Sequence, residues 1–305
     1  MIPPVILREA QTLHGGSLWV RYANFVRLPH TVFALPFALV GVVLASYRAP
    51  VQWSAVGWAV VAFTAARFAA MGFNRIADRA YDAMNPRTAM REIPAGLLTV
   101  REATIAVVVA ALLFVVAAWQ INPICLMLSP IALAWVLFYS LTKRFTRWSH
   151  LVLGLGMGIA PVGGYLAITG AWSAPWWVLP VLAGAVMTWG AGFDLLYALQ
   201  DIAFDRQHRL HSIPASIGIP KTIRLSRALH AATVGLLAIV VAEVVGLDRA
   251  ALGSWVGVAA VAGLLVYEHS LISHDDQSRL DAAFFTMNGV ISIVFFACIL
   301  LDRVV

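Results

Sequence analysis

The chain has 305 residues, of which 61% are hydrophobic and 12% charged, and its formal net charge is +6. Charged residues make up about a quarter of an ordinary soluble domain, so half that share cannot coat a globule of this size. A soluble enzyme, a disordered chain and a fibrous one are excluded. The 2 cysteines, Cys125 and Cys298, both sit in apolar runs, which excludes a disulfide framework and a cysteine-based metal site. With a mean hydropathy of +0.84, the sequence reads as an integral membrane protein, and the basic excess as a topology signal instead of a nucleic-acid surface.

In chain order, residues 1–24 contain neither a long apolar core nor a small-residue cleavage site, and read as a cytoplasmic extension instead of a signal peptide. Residues 25–305 read as a single transmembrane domain. A bilayer core takes about 20 apolar residues per helix, and runs of that kind fall at 25–46, 53–73, 102–119, 122–141, 150–169, 176–198, 226–246, 250–267 and 283–301. The expectation is an all-α, polytopic protein with nine transmembrane helices around a central cavity. With the N-terminus in the cytoplasm, 17 of the 21 Lys and Arg fall on cytoplasmic segments; Arg48, Arg249 and Arg303 lie outside and Arg67 within a span. The loops predicted inside, 74–101 and 199–225, are long and rich in titratable groups, whereas the outer connections 120–123 and 169–175 are short. An active site capped by those two loops at the cytoplasmic face of the cell membrane follows.

The second predicted span ends in Asn74-x-x-x-Asp78-x-x-x-Asp82, a spacing that stacks three oxygen-bearing side chains on one helix face. The sixth ends in Asp194, Tyr197, Asp201 and Asp205, with Asp194 two turns above Asp201. The two clusters sit at matched depth and on the same side, as two pseudo-repeated halves of four helices, plus one further helix, would place them. Like charges at i, i+4 repel, and two facing stacks in a dehydrated cleft demand a cation between them. Carboxylate and amide oxygens suit Mg²⁺, which shares its shell with phosphates, so the physical reading is two acidic walls holding Mg²⁺ and a diphosphate. Arg67 lies two turns deeper than Asn74; it either forms a structural salt bridge to Asp194 or Asp78 or contacts substrate. Tyr139 and Lys143 end the fourth span at i, i+4, Lys143 being either a diphosphate ligand or a membrane anchor. Arg87, Arg91 and Arg206 read as a cationic lid over the same cleft.

These residues resemble the UbiA superfamily of intramembrane aromatic prenyltransferases. The matching text is the 74–82 motif with Asn85-Pro86-Arg87-Thr88, and Tyr197-Ala-Leu-Gln-Asp201-Ile-Ala-Phe-Asp205 with Leu210-His-Ser-Ile-Pro214. Tyr139-Ser-Leu-Thr-Lys143, the entry Arg27-Leu-Pro-His-Thr31, and Asp275-Asp276 before Asn288-Gly289 fit as well. The resemblance implies the nine-helix fold of that family and its Mg²⁺-dependent reaction. There, a polyprenyl diphosphate loses its diphosphate, and the allylic cation is attacked by an electron-rich aromatic ring, ortho to a hydroxyl. It implies further that Asn74, Asp78 and Asp82 carry one metal and Asp201 and Asp205 another, while Tyr139, Lys143 and the cytoplasmic arginines assist departure. Arg75 stands where many relatives carry an acid or Asn. The branch most resembled acts on 4-hydroxybenzoate or a hydroxynaphthoate, on the way to ubiquinone or menaquinone; haem- and homogentisate-directed relatives resemble the chain less. A carboxylated acceptor calls for a cation outside the diphosphate pocket, and Arg27 and Arg67 are the candidates. No strong general base is required by this chemistry.

A secondary transporter is the alternative from another class, since Gly154, Gly156, Gly158, Gly163 and Gly164, with Pro161 between, can be read as a broken helix, although close packing through small residues is the preferred reading. Its acids, however, are expected near the bilayer midplane, whereas these sit at helix ends on one side.

Overall fold

Nearly every described residue is helical, because a chain this apolar satisfies its backbone polar groups within each segment. The computed structural model describes residues 13, 15, 17–248, 251–272 and 286–304. The N-terminal half contains α1 (Leu18–Phe25), α2 (Leu28–Ser46), α3 (Trp53–Ala77), α4 (Arg79–Met84), α5 (Val100–Ile121) and α6 (Pro123–Thr142). It is followed by α7 (Ser149–Thr169), α8 (Val178–Tyr197), α9 (Ile202–Gln207) and α10 (Ile213–Ile217), then α11 (Ile219–Val244), α12 (Leu252–Ser270) and α13 (Asn288–Val304). Arg8, Arg249, Arg279 and the Asp275-Asp276 pair lie outside the described residues.

Among the described residues, seven helices are long and apolar enough to cross a membrane: α3, α5, α6, α7, α8 with its continuation to Gln207, α11 and α12. Of the two other predicted spans, α2 carries the apolar stretch Ala34–Ser46 and α13 has 17 residues. Helix α11 starts seven residues before the predicted apolar run, because Gly218 and Pro220 begin a helix that the charges of Lys221 and Arg224 do not stop. Part of the predicted extension is helical too. Ser17 caps α1, accepting from the Val20 amide at 3.3 Å, and Phe25 is fully buried against Val26, Leu98 and Ala103. Between α1 and α2 the chain turns at Arg27, which sits at φ 48°.

Caps written in the sequence fix other ends. Thr99 and Glu102 form a capping box at the start of α5. Asn122 both ends α5 and caps α6, accepting from the Cys125 amide at 2.9 Å.

Packing follows two linked rings. Helices α2, α7, α8, α11, α12 and α13 contact one another in that cyclic order, and their inner faces fill a solid core that includes Phe37, Leu179, Leu182, Leu237 and Phe295. Helices α3, α5 and α6 close against α2 and α7 on the other side and leave a cavity there. The two rings share a close seam. A Cβ built on Gly41 would fall on the Pro161 carbonyl, and one on Gly154 would fall on that of Met187, so backbone meets backbone where α7 crosses α2 and α8. Outward faces are apolar: Ile105, Val109 and Leu112 on α5, and Met127 and Ile131 on α6, are more than half exposed. That pattern is stable only against lipid.

Candidate functional site

The first acidic tip begins where α3 stops. Asp78 has φ −92° and ψ 5°, off the helical values, and its amide closes the last turn onto the Asn74 carbonyl at 2.8 Å. Asn74 Nδ2 donates to Asp78 Oδ2 at 2.9 Å, so the predicted i, i+4 contact is present. The bend at Asp78 starts the separate helix α4, and the expected three-residue stack is shortened to two. Asp82 turns from that face and receives Arg91 Nη1 at 2.7 Å on Oδ1.

The second tip repeats this geometry. Helix α8 tightens into a 3₁₀ turn over Ala198–Asp201, and Asp201, at φ −100° and ψ 2°, starts the six-residue α9 just as Asp78 starts the six-residue α4. Asp205 on α9 is fully buried, with Lys143 Nζ 2.8 Å from its Oδ1. The two tips converge. Pro86 drives Asn85 into an extended conformation and ends α4. Asn85 Oδ1 then accepts the Arg87 amide at 3.0 Å, while its Nδ2 reaches Asp201 Oδ1 at 3.2 Å. Arg87 Nη1 also donates to the Tyr197 hydroxyl at 2.8 Å.

Each tip carboxylate therefore meets a cation: Asp78 Arg144, Asp82 Arg91, Asp201 Arg87 and Asp205 Lys143. Arg144 Nη2 donates to both Asp78 Oδ1, at 3.1 Å, and the Ala77 carbonyl, at 2.7 Å, which sets a positive charge on the C-terminus of α3. Burial, with the nearby Asp82 carboxylate, still pushes the Asp78 carboxyl above its ordinary range, against the opposing pull of Arg144 and Arg91.

Beneath the tips lies a cavity of about 550 Å³. Arg27, Asn74, Asp78, Arg91, Tyr139 and Lys143 line it, as do Arg67, Asp194, Tyr197 and Asp201; farther in, the walls are apolar, with Phe63, Phe114, Trp189 and Phe193 among them. Arg67 Nε donates to Thr31 Oγ1 at 3.0 Å. Among the described residues no carboxylate forms an ion pair with it, so the predicted bridge to Asp194 or Asp78 is not made. Those acids are engaged elsewhere, Asp78 by Arg144 and Asp194 by His150, whose Nδ1 is 2.7 Å from Asp194 Oδ2.

The structure thus brings together most of the nominated residues but sorts them. Asn74, Asp78 and Asp201 line the cavity, whereas Asp82, Asp205 and Arg87 hold or are held by its charged neighbours without lining it. Arg206 does not line the cavity; its Nε donates to the Ala215 carbonyl at 2.9 Å, tying the loop to α10. His150, Thr31, Asn85 and Arg144 were not nominated. Asn85 stands inside a motif the sequence displays, but His150 lies 44 residues from its acid and no spacing could reveal it. Asn74, Asp78 and Asp201 line one cavity, and their amide and carboxylate oxygens, without a sulfur among them, are the donor type a hard divalent cation takes.

Comparison with known proteins gives consistent matches. The profile of the UbiA prenyltransferase family matches residues 34–290. A 4-hydroxybenzoate octaprenyltransferase of Idiomarina loihiensis is 30% identical over 233 residues, 75% of this chain and 78% of that protein. One of Tolumonas auensis is 29% identical over 229 residues, 75% of this chain and 77% of that protein. Among solved structures, a UbiA homolog from Aeropyrum pernix K1 superposes with a TM-score of 0.81 at 34% identity, covering 91% of this chain and 99% of that one. A UbiA homolog from Archaeoglobus fulgidus, bound to GPP and Mg²⁺, shares the fold with a TM-score of 0.74 at 20% identity, covering 93% of this chain and 100% of that one.

Proposed function

We propose, from the premise that this chain belongs to the UbiA prenyltransferase family, that it moves a polyprenyl group from its diphosphate onto the ring of an aromatic hydroxy-acid, 4-hydroxybenzoate or a hydroxynaphthoate, for quinone synthesis. The observation that carries this reading is the convergence of two acid-tipped helices, joined by Arg87 and Asp201, over one apolar cavity. The family match and the relatives' names favour this transferase over the transporter.

Mg²⁺ supplies neutralisation of the diphosphate and of the charge that grows on it as the C–O bond breaks. Asn74, Asp78 and Asp201 are the residues to hold it. Asp82 and Asp205, assigned as further ligands by the family resemblance, keep Arg91 and Lys143 at the cavity mouth instead. Arg91, Lys143 and the Tyr139 hydroxyl, which line the cavity, receive the departing diphosphate with charges already in place, while Arg87 holds Asp201 beside them; such fixed donors give the larger part of many rate enhancements. The prenyl chain lies along the apolar walls. Trp189 and Phe193 shield the allylic cation from water and offer it ring faces.

Arg67 takes the carboxylate of the acceptor. It is a cation set into a membrane span with a hydroxyl as its partner, and an intramembrane charge of that kind calls for an anion. Arg27, also on the cavity wall, stands nearer the chain entry. Nine spans, a cytoplasmic N-terminus and an active site on the cytoplasmic face complete the reading, supported by the placement of 17 of the 21 Lys and Arg.

The test is direct. Purified protein in detergent or lipid discs, given Mg²⁺, geranyl diphosphate and a panel of 4-hydroxybenzoate and hydroxynaphthoates, yields a ring-prenylated acid identified by mass. No prenylated product with any of these rings rejects the function.

A further inference from the structure

We infer that Asp194, held by His150, is the group that receives the hydroxyl of the aromatic acceptor and carries its proton during ring attack. The inference rests on the transferase reading above and assigns two residues within it.

Asp194 differs from every other acid at the site. Asp78, Asp82, Asp201 and Asp205 each have a Lys or Arg partner, whereas the only side-chain hydrogen bond of Asp194 among the described residues is to His150. His150 is 3% exposed, on the first turn of α7, and its Nδ1 is 2.7 Å from Asp194 Oδ2. Since a carboxylate only accepts, this contact places the imidazole proton on Nδ1. The other carboxylate oxygen, Oδ1, is left to the cavity that Asp194 lines, and the side chain is 24% exposed there. His150 is therefore a positioning residue, fixing one oxygen so that the second has a defined direction.

The surroundings select the ligand. Asp194 lies on α8 two turns from Asp201, toward the apolar part of the cavity, so it is set apart from the cations that would meet a diphosphate. Arg67, Tyr139 and Asp194 line the same cavity, yet among the described residues Arg67 is bonded to Thr31 and Asp194 to His150, and the two form no ion pair with each other. A molecule with an anionic end for Arg67 and an O–H end for Asp194 bridges them, and a hydroxylated aromatic acid is such a molecule. A second anion would be repelled by Asp194.

The step balances. The ring carbon ortho to the hydroxyl attacks the allylic carbon with a ring electron pair and forms the new C–C bond. The O–H bond breaks, its proton passes to Asp194 Oδ1, and its electron pair becomes the C=O bond of a neutral dienone. The ring C–H then yields its proton to the diphosphate released by the same reaction, the C–H pair restores the aromatic ring, and Asp194 returns its proton to the oxygen.

Three quantities are measured on the wild type, Asp194→Asn, His150→Asn and His150→Leu: geranyl diphosphate binding with Mg²⁺ by calorimetry, and kcat and KM for 4-hydroxybenzoate. Asp194→Asn keeps diphosphate binding and loses about 100-fold or more in kcat, the range general-base removal produces. A ring-fluorinated 4-hydroxybenzoate, whose hydroxyl ionises more easily, recovers part of that loss. His150→Asn, which retains an N–H at the Nδ1 position, transfers faster than His150→Leu, and this comparison decides the matter if the Asp194 variant does not fold. A kcat for Asp194→Asn within threefold of wild type, or diphosphate binding lost together with transfer, overturns the assignment and leaves the transferase reading standing. Absence of transfer by the wild type to any ring removes both.

Discussion

Arg87 grips Asp201 across 114 residues of sequence, with Nε 3.1 Å from Oδ1 and Nη2 2.7 Å from Oδ2. This two-pronged contact joins the loop after α4 to the end of α8, and it fastens one acidic tip to the other. A flat guanidinium makes it; an ammonium cannot engage both oxygens in parallel.

Replacing Arg87 by Lys keeps the charge and loses the fork. Turnover is expected to fall by roughly tenfold for Lys and about 100-fold or more for Ala, as for other preorganised charge donors. Steady-state rates with geranyl diphosphate decide it, and equal rates for Lys and Arg would show that the paired geometry is irrelevant.

Chelation by EDTA should abolish transfer and added Mg²⁺ should restore it. Asp78→Asn and Asp201→Asn should stay inactive at any Mg²⁺ concentration, because each removes an anionic oxygen at the cavity mouth. Circular dichroism confirms that the helices persist. Full Mg²⁺ rescue of both variants would remove these acids from the metal site.

Arg67→Leu separates the two substrates. Its Nε bond to Thr31 shows a side chain fixed in the cavity wall, away from the tip carboxylates. The KM for the acceptor should rise by about tenfold or more, consistent with losing a charge-assisted hydrogen bond of about 1.5–3 kcal/mol, while diphosphate binding stands. An unchanged acceptor KM would return Arg67 to a purely structural role.

The helix seam can be probed without touching the site. Gly41→Ala pushes a methyl onto the Pro161 carbonyl, whereas Gly57 has nothing within 4 Å of its Cβ position. The first change should destabilise the protein by about 1–3 kcal/mol, typical of overpacking, and the second should be near neutral. Thermal unfolding in a single detergent compares them, and equal midpoints would contradict the close approach of α2 and α7.

Asp302 supplies a cap from another helix. Its carboxylate accepts from the Gly253 amide at 2.7 Å and the Ser254 amide at 2.5 Å, holding the start of α12 against the end of α13. Asp302→Ala should cost about 0.5–2 kcal/mol, as other cap removals do, with turnover per folded molecule preserved. A midpoint equal to wild type would show that the cap contributes nothing.

What the sequence disclosed follows the range of each interaction. Apolar runs and their bounding charges are local, so helices such as α5 and α6 were placed within a residue or two. The i, i+4 contact of Asn74 and Asp78 is also local and was legible. The bends at Asp78 and Asp201 were not, because nothing in either motif marks the residue at which a helix tightens, and the bends withdraw Asp82 and Asp205 from the cavity wall. The pairing of His150 with Asp194 belongs to the crossing of α7 and α8, which only the fold creates. Arg206 shows the same limit from the other side: a charge beside an acidic motif bonds a backbone carbonyl nine residues on, which the motif does not display.

The one-to-one matching of acids and bases at the mouth has a consequence for how ligands enter. A lone divalent ion must displace guanidinium groups that then have no anion to turn to, and a lone diphosphate leaves carboxylates stranded in the same way. When the two arrive as a complex, every displaced side chain finds a fresh counterpart, so the exchange conserves charge and the door opens to the couple while resisting either member alone.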